Sequence, residues 1–231
     1  MDQPQYLQGR NALPPGRQEI SDFPRCGLFQ FAWRIDRSPA PLSLEIAGDV
    51  RSPIVIAAGS LATLPRVHQL GDLHCVTTWT RRQLQWSGVR FKDFYHQIVL
   101  PQAEPDGEVR FVIFTAGDGY RRYFVLDDAL ADDVLLADRL AGAPLTWQHG
   151  APLRLVAPAH YGFRSAKHLQ RIEFCKTLQH YRSPTTHWTE HPRARVAFEE
   201  RGRVLPAGVY RYLYRAAIPL VRWWYRRAER R

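Results

Sequence analysis

Apolar and polar positions alternate in short runs along most of the chain, and a long helical period appears only near the C-terminus. LSLEIAGDV (42–50) alternates and ends in Gly-Asp, which predicts a strand and a turn. GSLATLPRV (59–67) predicts a short helix stopped by Pro65. LGDLHCVTTW (70–79) has the β-branched and aromatic content of a strand, with Cys75 near its end. Within residues 88–99, Val89, Phe91, Phe94, Tyr95 and Ile98 recur at helical spacings. VRFVIFT (109–115) predicts an apolar strand leading into the turn GDGY (117–120), and RRYFVLDDAL predicts a strand passing into a short helix. Short strands over 152–157 and 170–175 complete the pattern. The fold class is α+β and β-rich, with short helices between strands.

The two ends differ from this middle. Residues 1 to about 40 carry Pro and Gly without a period and predict an extended arm packed on the domain. The domain itself is placed at 41–185, followed by a basic, aromatic extension at 186–231. At 100° per residue, Arg211, Arg215, Arg222 and Arg226 share one stripe of an amphipathic helix. Tyr210, Leu213, Ala217, Leu220, Val221 and Trp224 fall opposite, and Pro219 interrupts or kinks the helix.

Composition narrows the classes. With 231 residues and 45% hydrophobic content, the chain has material for one sizeable core, which excludes disorder throughout. A net charge of +10 favours anionic partners: a phosphate-bearing cofactor, nucleic acid, anionic lipid or an acidic redox protein. The same charge also fits a merely solubilising surface. Cys26, Cys75 and Cys175 are odd in number and widely spaced, which argues against a disulfide framework and for a reducing compartment. The N-terminal residues lack a basic and apolar leader pattern, and no run approaches ~18 apolar residues. A cytoplasmic location, peripheral at a membrane if the C-terminal helix binds one, is the expectation.

Two places could carry chemistry. Cys75 is a buried hydrophobe, a nucleophile or a soft thiolate ligand for a redox metal. The adjacent His74 makes a poor base, because successive strand side chains point to opposite faces. WQHGAPLRLVAPAHYGFRSAKH (147–168) gathers His149, Arg154, His160, Arg164, Ser165, Lys167 and His168 on backbone punctuated by Gly and Pro. That mixture suits a phosphate attached to a polar heterocycle, although it also reads as a solvated basic loop. Neither GxxxxGK[ST] nor GxGxxG is present. HWTEH (187–191) is not HExxH, and Pro184 and Pro192 crowd it, so a zinc site is not expected.

DLHCVTTWTRRQLQWSGVRFKDF (72–94) resembles the cysteine segment of sulfite-oxidase-type molybdopterin enzymes, and HGAPLRLVAPAHYGFRSAK (149–167) resembles their phosphate-and-pterin loop. GDGY (117–120) and VLLADRLAGAPL (134–145) lie between them in the family's order, and PPGRQEISDFPRCG (14–27) is similar to the arm of its short members. The resemblance implies a molybdopterin cofactor with Cys75 as the protein's ligand to molybdenum. It implies cofactor contacts at His149, Arg154, Ser165, Ala166 and Lys167, and at Thr115 and Arg25 less directly. Tyr120 and Asp138, with Asp118, are candidates to line the mouth of the catalytic site.

Departures from the family bear on substrate. Sulfite oxidases carry an arginine where this chain has Thr80, and a tyrosine where it has Asp138. Both changes disfavour a small dianion. CVTTWTRRQLQW (75–86) is closer to the branch containing the methionine-sulfoxide reductase catalytic subunit. The expected activity is oxygen-atom transfer or a related two-electron step on a small-molecule substrate, with electrons exchanged with a separate protein because no haem or flavin signature is present. The C-terminal helix would dock that partner or touch a membrane surface; nucleic acid is the disfavoured partner. The alternatives are a non-enzymatic membrane- or nucleic-acid-binding protein on an inactive form of this fold, and a cysteine-nucleophile transferase.

Overall fold

The computed structural model describes residues 13–14, 17–25, 28–34, 37, 41–184, 191–196 and 206–229. Cys26 and most of the HWTEH segment lie outside them. Two sheets carry the structure. The first joins β1 (Gln18–Glu19), β4 (Arg66–His74), β5 (Trp79–Arg90), β8 (Leu135–Leu140), β9 (Ala143–Pro144) and β10 (Arg154–Val156). The second runs β3 (Ile54–Ala57), β2 (Ser43–Gly48), β11 (Leu169–Cys175), β6 (Phe111–Ala116) and β7 (Arg121–Val125). Short helices α1 (Ala58–Ala62), α2 (Phe91–Phe94), α3 (Leu100–Ala103) and α4 (Leu126–Ala129) sit between strands, and α5 (Ala207–Glu229) ends the described chain. This is the α+β, β-rich architecture expected.

The longest strand, β5, was not legible as one. Its first half pairs with β1 and its second with β8, while β4 runs along its other edge. Both faces are covered at Trp86, Ser87, Gly88 and Val89, so alternation disappears. Gly88 is required there: a Cβ would stand 2.1 Å from the Leu136 carbonyl oxygen. The helical spacing expected over 88–99 therefore starts three residues later, at Phe91. It continues through a π turn, Tyr95–Val99, into α3.

The main core lies between the sheets, where Phe91, Phe94, Phe114 and Phe174 are fully buried. A second cluster around Trp86, Leu135 and Val156 backs the first sheet. Helix α5 runs unbroken through Pro219 rather than stopping there. It joins a small cluster of its own, in which Tyr225 and Ala228 pack on Ala32 of the arm.

Candidate active site

The β4–β5 hairpin places the cysteine. Cys75 lies one residue past β4, in the turn rather than in a strand. Its N–H donates to the Trp79 carbonyl (2.9 Å), and the Thr78 N–H donates to the Cys75 carbonyl (3.2 Å). Thr78 closes the turn at φ 73°, a conformation that a β-branched residue adopts only when its surroundings impose it. The arm does so. Gln18 N–H donates to the Thr78 carbonyl at 3.0 Å, and buried Arg17 donates Nη1 to the carbonyls of Cys75 (2.9 Å) and Trp79 (3.0 Å). The Arg17 guanidinium also lies 4.8 Å over the Tyr161 ring.

Held this way, the Cys75 thiol is 8% exposed and lies 3.1 Å from Thr77 Oγ1. It lines a cavity of ≈ 270 Å³. His74 faces elsewhere: its Nδ1 is 2.9 Å from Thr80 Oγ1. Burial, with Arg17 and Arg82 nearby, holds its pKa down to about 3. His74 thus spends its Nδ1 on Thr80 rather than offering it to Cys75 as a base.

Arg25, Tyr120, Arg154, Ser165 and Lys167 line the same cavity, together with Asp118. Arg25 donates Nη2 to the Ala32 carbonyl (2.9 Å) and lies 5.0 Å from both the Trp147 and Tyr225 rings. Arg154 is 1% exposed, donates Nη1 to the His149 carbonyl (2.8 Å) and lies 4.8 Å over Trp86. Burial alone pushes its pKa down to about 9, with no carboxylate opposing the shift. Lys167 Nζ donates to the Gln148 carbonyl at 3.1 Å. Ser165 Oγ accepts the Ala157 N–H (3.2 Å), and the Tyr120 hydroxyl donates to the Phe163 carbonyl (2.5 Å). Asp118 accepts the Tyr120 N–H at 2.9 Å; burial raises its carboxyl above the usual range, with that bond, Lys167 and Arg25 opposing.

His149 lines an adjoining cleft of ≈ 420 Å³ that shares Phe23, Pro24, Arg25 and Tyr225 with the cavity. The Phe23 ring stacks on the His149 imidazole at 4.4 Å, and burial, with Lys167 and Arg154, takes its pKa down to about 3. Gly150 beside it adopts φ 109°, and a Cβ there would meet Lys167 and Arg154 at about 3 Å.

Three expected residues lie elsewhere, and each has a physical reason. Thr115 turns its hydroxyl to Arg121 Nε (3.2 Å), because only the next residue, Ala116, faces the cavity on this alternating strand. Ala166 is in the main core, its N–H bound to the Arg164 carbonyl (2.9 Å). Asp138 forms a two-point pair with Arg66 (2.8 and 2.6 Å) on the far side of β8, beside a different pocket. That correction withdraws Asp138 from the catalytic set. Arg17, Phe23 and the α5 residues Ala217, Val221 and Tyr225 were missed. Ala217 and Val221 did fall on the predicted apolar face, but nothing in the pattern said what it would cover.

A thiol, three cations and one carboxylate converge on one cavity. The buried Arg154 lacks an acidic partner among the described residues, and the buried atoms His149 Nδ1 and His168 Nε2 make no hydrogen bond there. A cationic cradle next to a soft sulfur donor fits an anionic cofactor carrying a soft metal. Cys75 would hold the metal; Arg154, Lys167, Ser165 and Arg25 would hold the organic, phosphate-bearing part, with His149 at its edge. Fold and site together define a sulfite-oxidase-type molybdopterin enzyme.

The chain belongs to the family described as "oxidoreductase molybdopterin binding domain", which it matches over residues 32–182, and molybdopterin is its cofactor. It is 34% identical to the uncharacterized oxidoreductase YuiH of Bacillus subtilis, across 71% of this chain and 79% of that one. It is 32% identical to the protein-methionine-sulfoxide reductase catalytic subunit MsrP of Gluconobacter oxydans, across 71% of this chain and 53% of that one. It therefore spans about half the length of the MsrP relatives it matches. The sulfane dehydrogenase SoxCD of Paracoccus pantotrophus shares the fold, with a TM-score of 0.56 at 22% identity over 71% of this chain and 46% of that one.

Proposed function

We propose that this molybdenum-dependent oxidoreductase removes oxygen from a neutral, apolar-flanked oxide such as a thioether sulfoxide. Two electrons come from a separate redox protein and two protons from solvent. The sulfur–oxygen bond breaks, the sulfoxide is reduced to the thioether, and its oxygen leaves as one water. The observation that carries this reading is the wall of the Cys75 cavity. Phe23, Leu28, Phe31, Val76 and Phe163 form much of it, a surface that accepts thioether substituents and penalises a desolvated dianion. The name of the MsrP relatives, which reduce methionine sulfoxide in protein, points the same way.

Molybdopterin supplies the two-electron couple when bound. The chain's own residues divide the remaining work. Arg17 and the arm fix the Cys75 turn, Arg154 and Lys167 neutralise anionic groups, and the aromatic wall excludes water. Asp118, whose carboxyl stays protonated to higher pH than usual, is placed to hold a proton at the cavity lining.

Protein made in a host competent for the cofactor tests this. With a reduced viologen dye as donor, dye oxidation should accelerate on adding an alkyl aryl sulfoxide or methionine sulfoxide. Cys75→Ser should lose the molybdenum and at least ~100-fold of that rate, as removal of a sole protein ligand predicts. Sulfite-dependent reduction of an acceptor, with no turnover of sulfoxides, would overturn the substrate class.

A further inference from the structure

Helix α5 lies beyond the segment matched to the family and presents a surface that the oxidoreductase reading leaves unused. Its inner face is accounted for. Tyr210, Tyr225 and Ala228 are buried, the Tyr225 hydroxyl donates to the Leu28 carbonyl (3.0 Å), and Ala217 and Val221 reach the cavity. The outer face exposes Val209 (42%), Tyr212 (78%), Leu213 (57%), Leu220 (64%) and Trp223 (51%). At 100° per residue, these five share an arc of about 100°. Arg215 and Arg226 border that arc and Arg227 lies within it, all three exposed. The helix carries five arginines and one acid, Glu229 at its end.

A protein-binding face keeps charge out of its centre and mixes signs at its rim. Here every charged residue along the arc is cationic. Two of the five apolar groups, Tyr212 and Trp223, are amphipathic rings of the kind that settle at a water–lipid boundary. No described helix is long and apolar enough to cross a membrane, so such a helix would lie in the plane of the interface. We propose that α5 seats this protein on an anionic membrane surface. Val209, Tyr212, Leu213, Leu220 and Trp223 enter the headgroup boundary, and Arg215, Arg226 and Arg227 meet lipid phosphates. Ala217, Val221 and Tyr225 wall the Cys75 cavity from the opposite face, so seating brings that cavity to about one helix diameter, ~10 Å, from the headgroups. The inference does not depend on the proposed substrate.

The test is sedimentation of the full-length, cofactor-loaded protein with vesicles of phosphatidylcholine alone or of equal parts phosphatidylcholine and phosphatidylglycerol. Binding is expected to the anionic vesicles, falling with added salt, and not to the neutral ones. A Leu220→Glu, Trp223→Glu variant should partition at least about tenfold more weakly, because it places charge in the inserted arc. Arg215→Gln with Arg227→Gln, which leaves Arg226 beside the His149 cleft untouched, should also lose about tenfold or more, since each arginine near a charged surface contributes independently. Unchanged molybdenum content and circular dichroism identify these variants as folded. Failure to bind anionic vesicles at low salt, or equal binding by both folded variants, overturns the proposal. So does a lipid-independent dimer that the Glu variant dissolves, which would assign the face to a second copy of this chain.

Discussion

At the scale of single residues, the site is a place where ordinary rules of burial are suspended for a ligand. Among the described residues, Arg154 is buried without a carboxylate, and His168, buried near Lys167 and Arg154, bonds only through its Nδ1, to the Ala151 carbonyl at 2.8 Å. Burial, and then those cations, hold the His168 pKa down to about 4, against an ordinary value of 6.5. Between these values the unfolded chain binds a proton that the folded chain does not. Folded stability contributed by His168 is thus complete above pH 6.5 and declines as pH falls toward 4, by about 1.4 kcal/mol per pH unit. Cofactor-free His168→Asn, which keeps a donor for Ala151 and tolerates the φ of 52°, should lose that part of the slope. Denaturant midpoints of both proteins from about pH 7.5 to about pH 4.5 measure it. Parallel curves would show that this histidine is not held neutral by the fold.

At the scale of elements, packing between strands decides what the sequence could and could not reveal. Gly88→Ala should prevent β5 and β8 from pairing, because the added Cβ would stand 2.1 Å from backbone oxygen that has no flexible end to move. The expected outcome is insoluble protein or a stability lowered by more than about 3 kcal/mol, measured by urea titration of whatever folds. A soluble variant of native stability would refute the close approach. This one glycine also explains a misreading. A strand buried on both faces has no alternation, so the pattern assigns GVRF to the helix that follows. Strands with one dominant face, β2, β7 and β11, were legible as short strand patterns, and β6, where Val112, Ile113 and Phe114 are all buried, was legible as a short apolar run before a turn. Cys75, Arg154, Ser165 and Lys167 were legible through the order of their motifs. Thr115, Ala166 and Asp138 were placed by that same order but face other neighbours, because motif order carries no information about side-chain direction on a strand. Arg17 carried no local signal. Its role comes from contacts 58 and 62 residues away.

At the scale of the whole molecule, the N-terminal arm around Arg25 and helix α5 meet over the cavity that the sheets create. Arg25 and Leu28 come from the N-terminal arm, Tyr225 from α5 and Trp147 from the loop after β9, and they touch one another at the rim. The small cluster of Ala32, Tyr225 and Ala228 beneath them is separate from the main core, so α5 can loosen without melting the sheets. Tyr225 is the residue through which it holds. Replacing Tyr225 by alanine removes the ring over Arg25 and the bond to the Leu28 carbonyl, and should weaken docking by about 3 kcal/mol. Replacing it by phenylalanine keeps the ring and loses one hydrogen bond, about 1 kcal/mol. Amide exchange within 207–229 should therefore accelerate by roughly a hundredfold in the alanine variant and by less than about tenfold in the phenylalanine variant. Exchange in β5, β6 and β11 should stay as in the parent protein. Molybdenum retained through extended dialysis should fall in the same order, since Arg25 loses one of its two aromatic supports. Uniform acceleration across the sheets would mean that the helix is part of the core. Unaltered exchange in α5 would mean that Tyr225 does not anchor it.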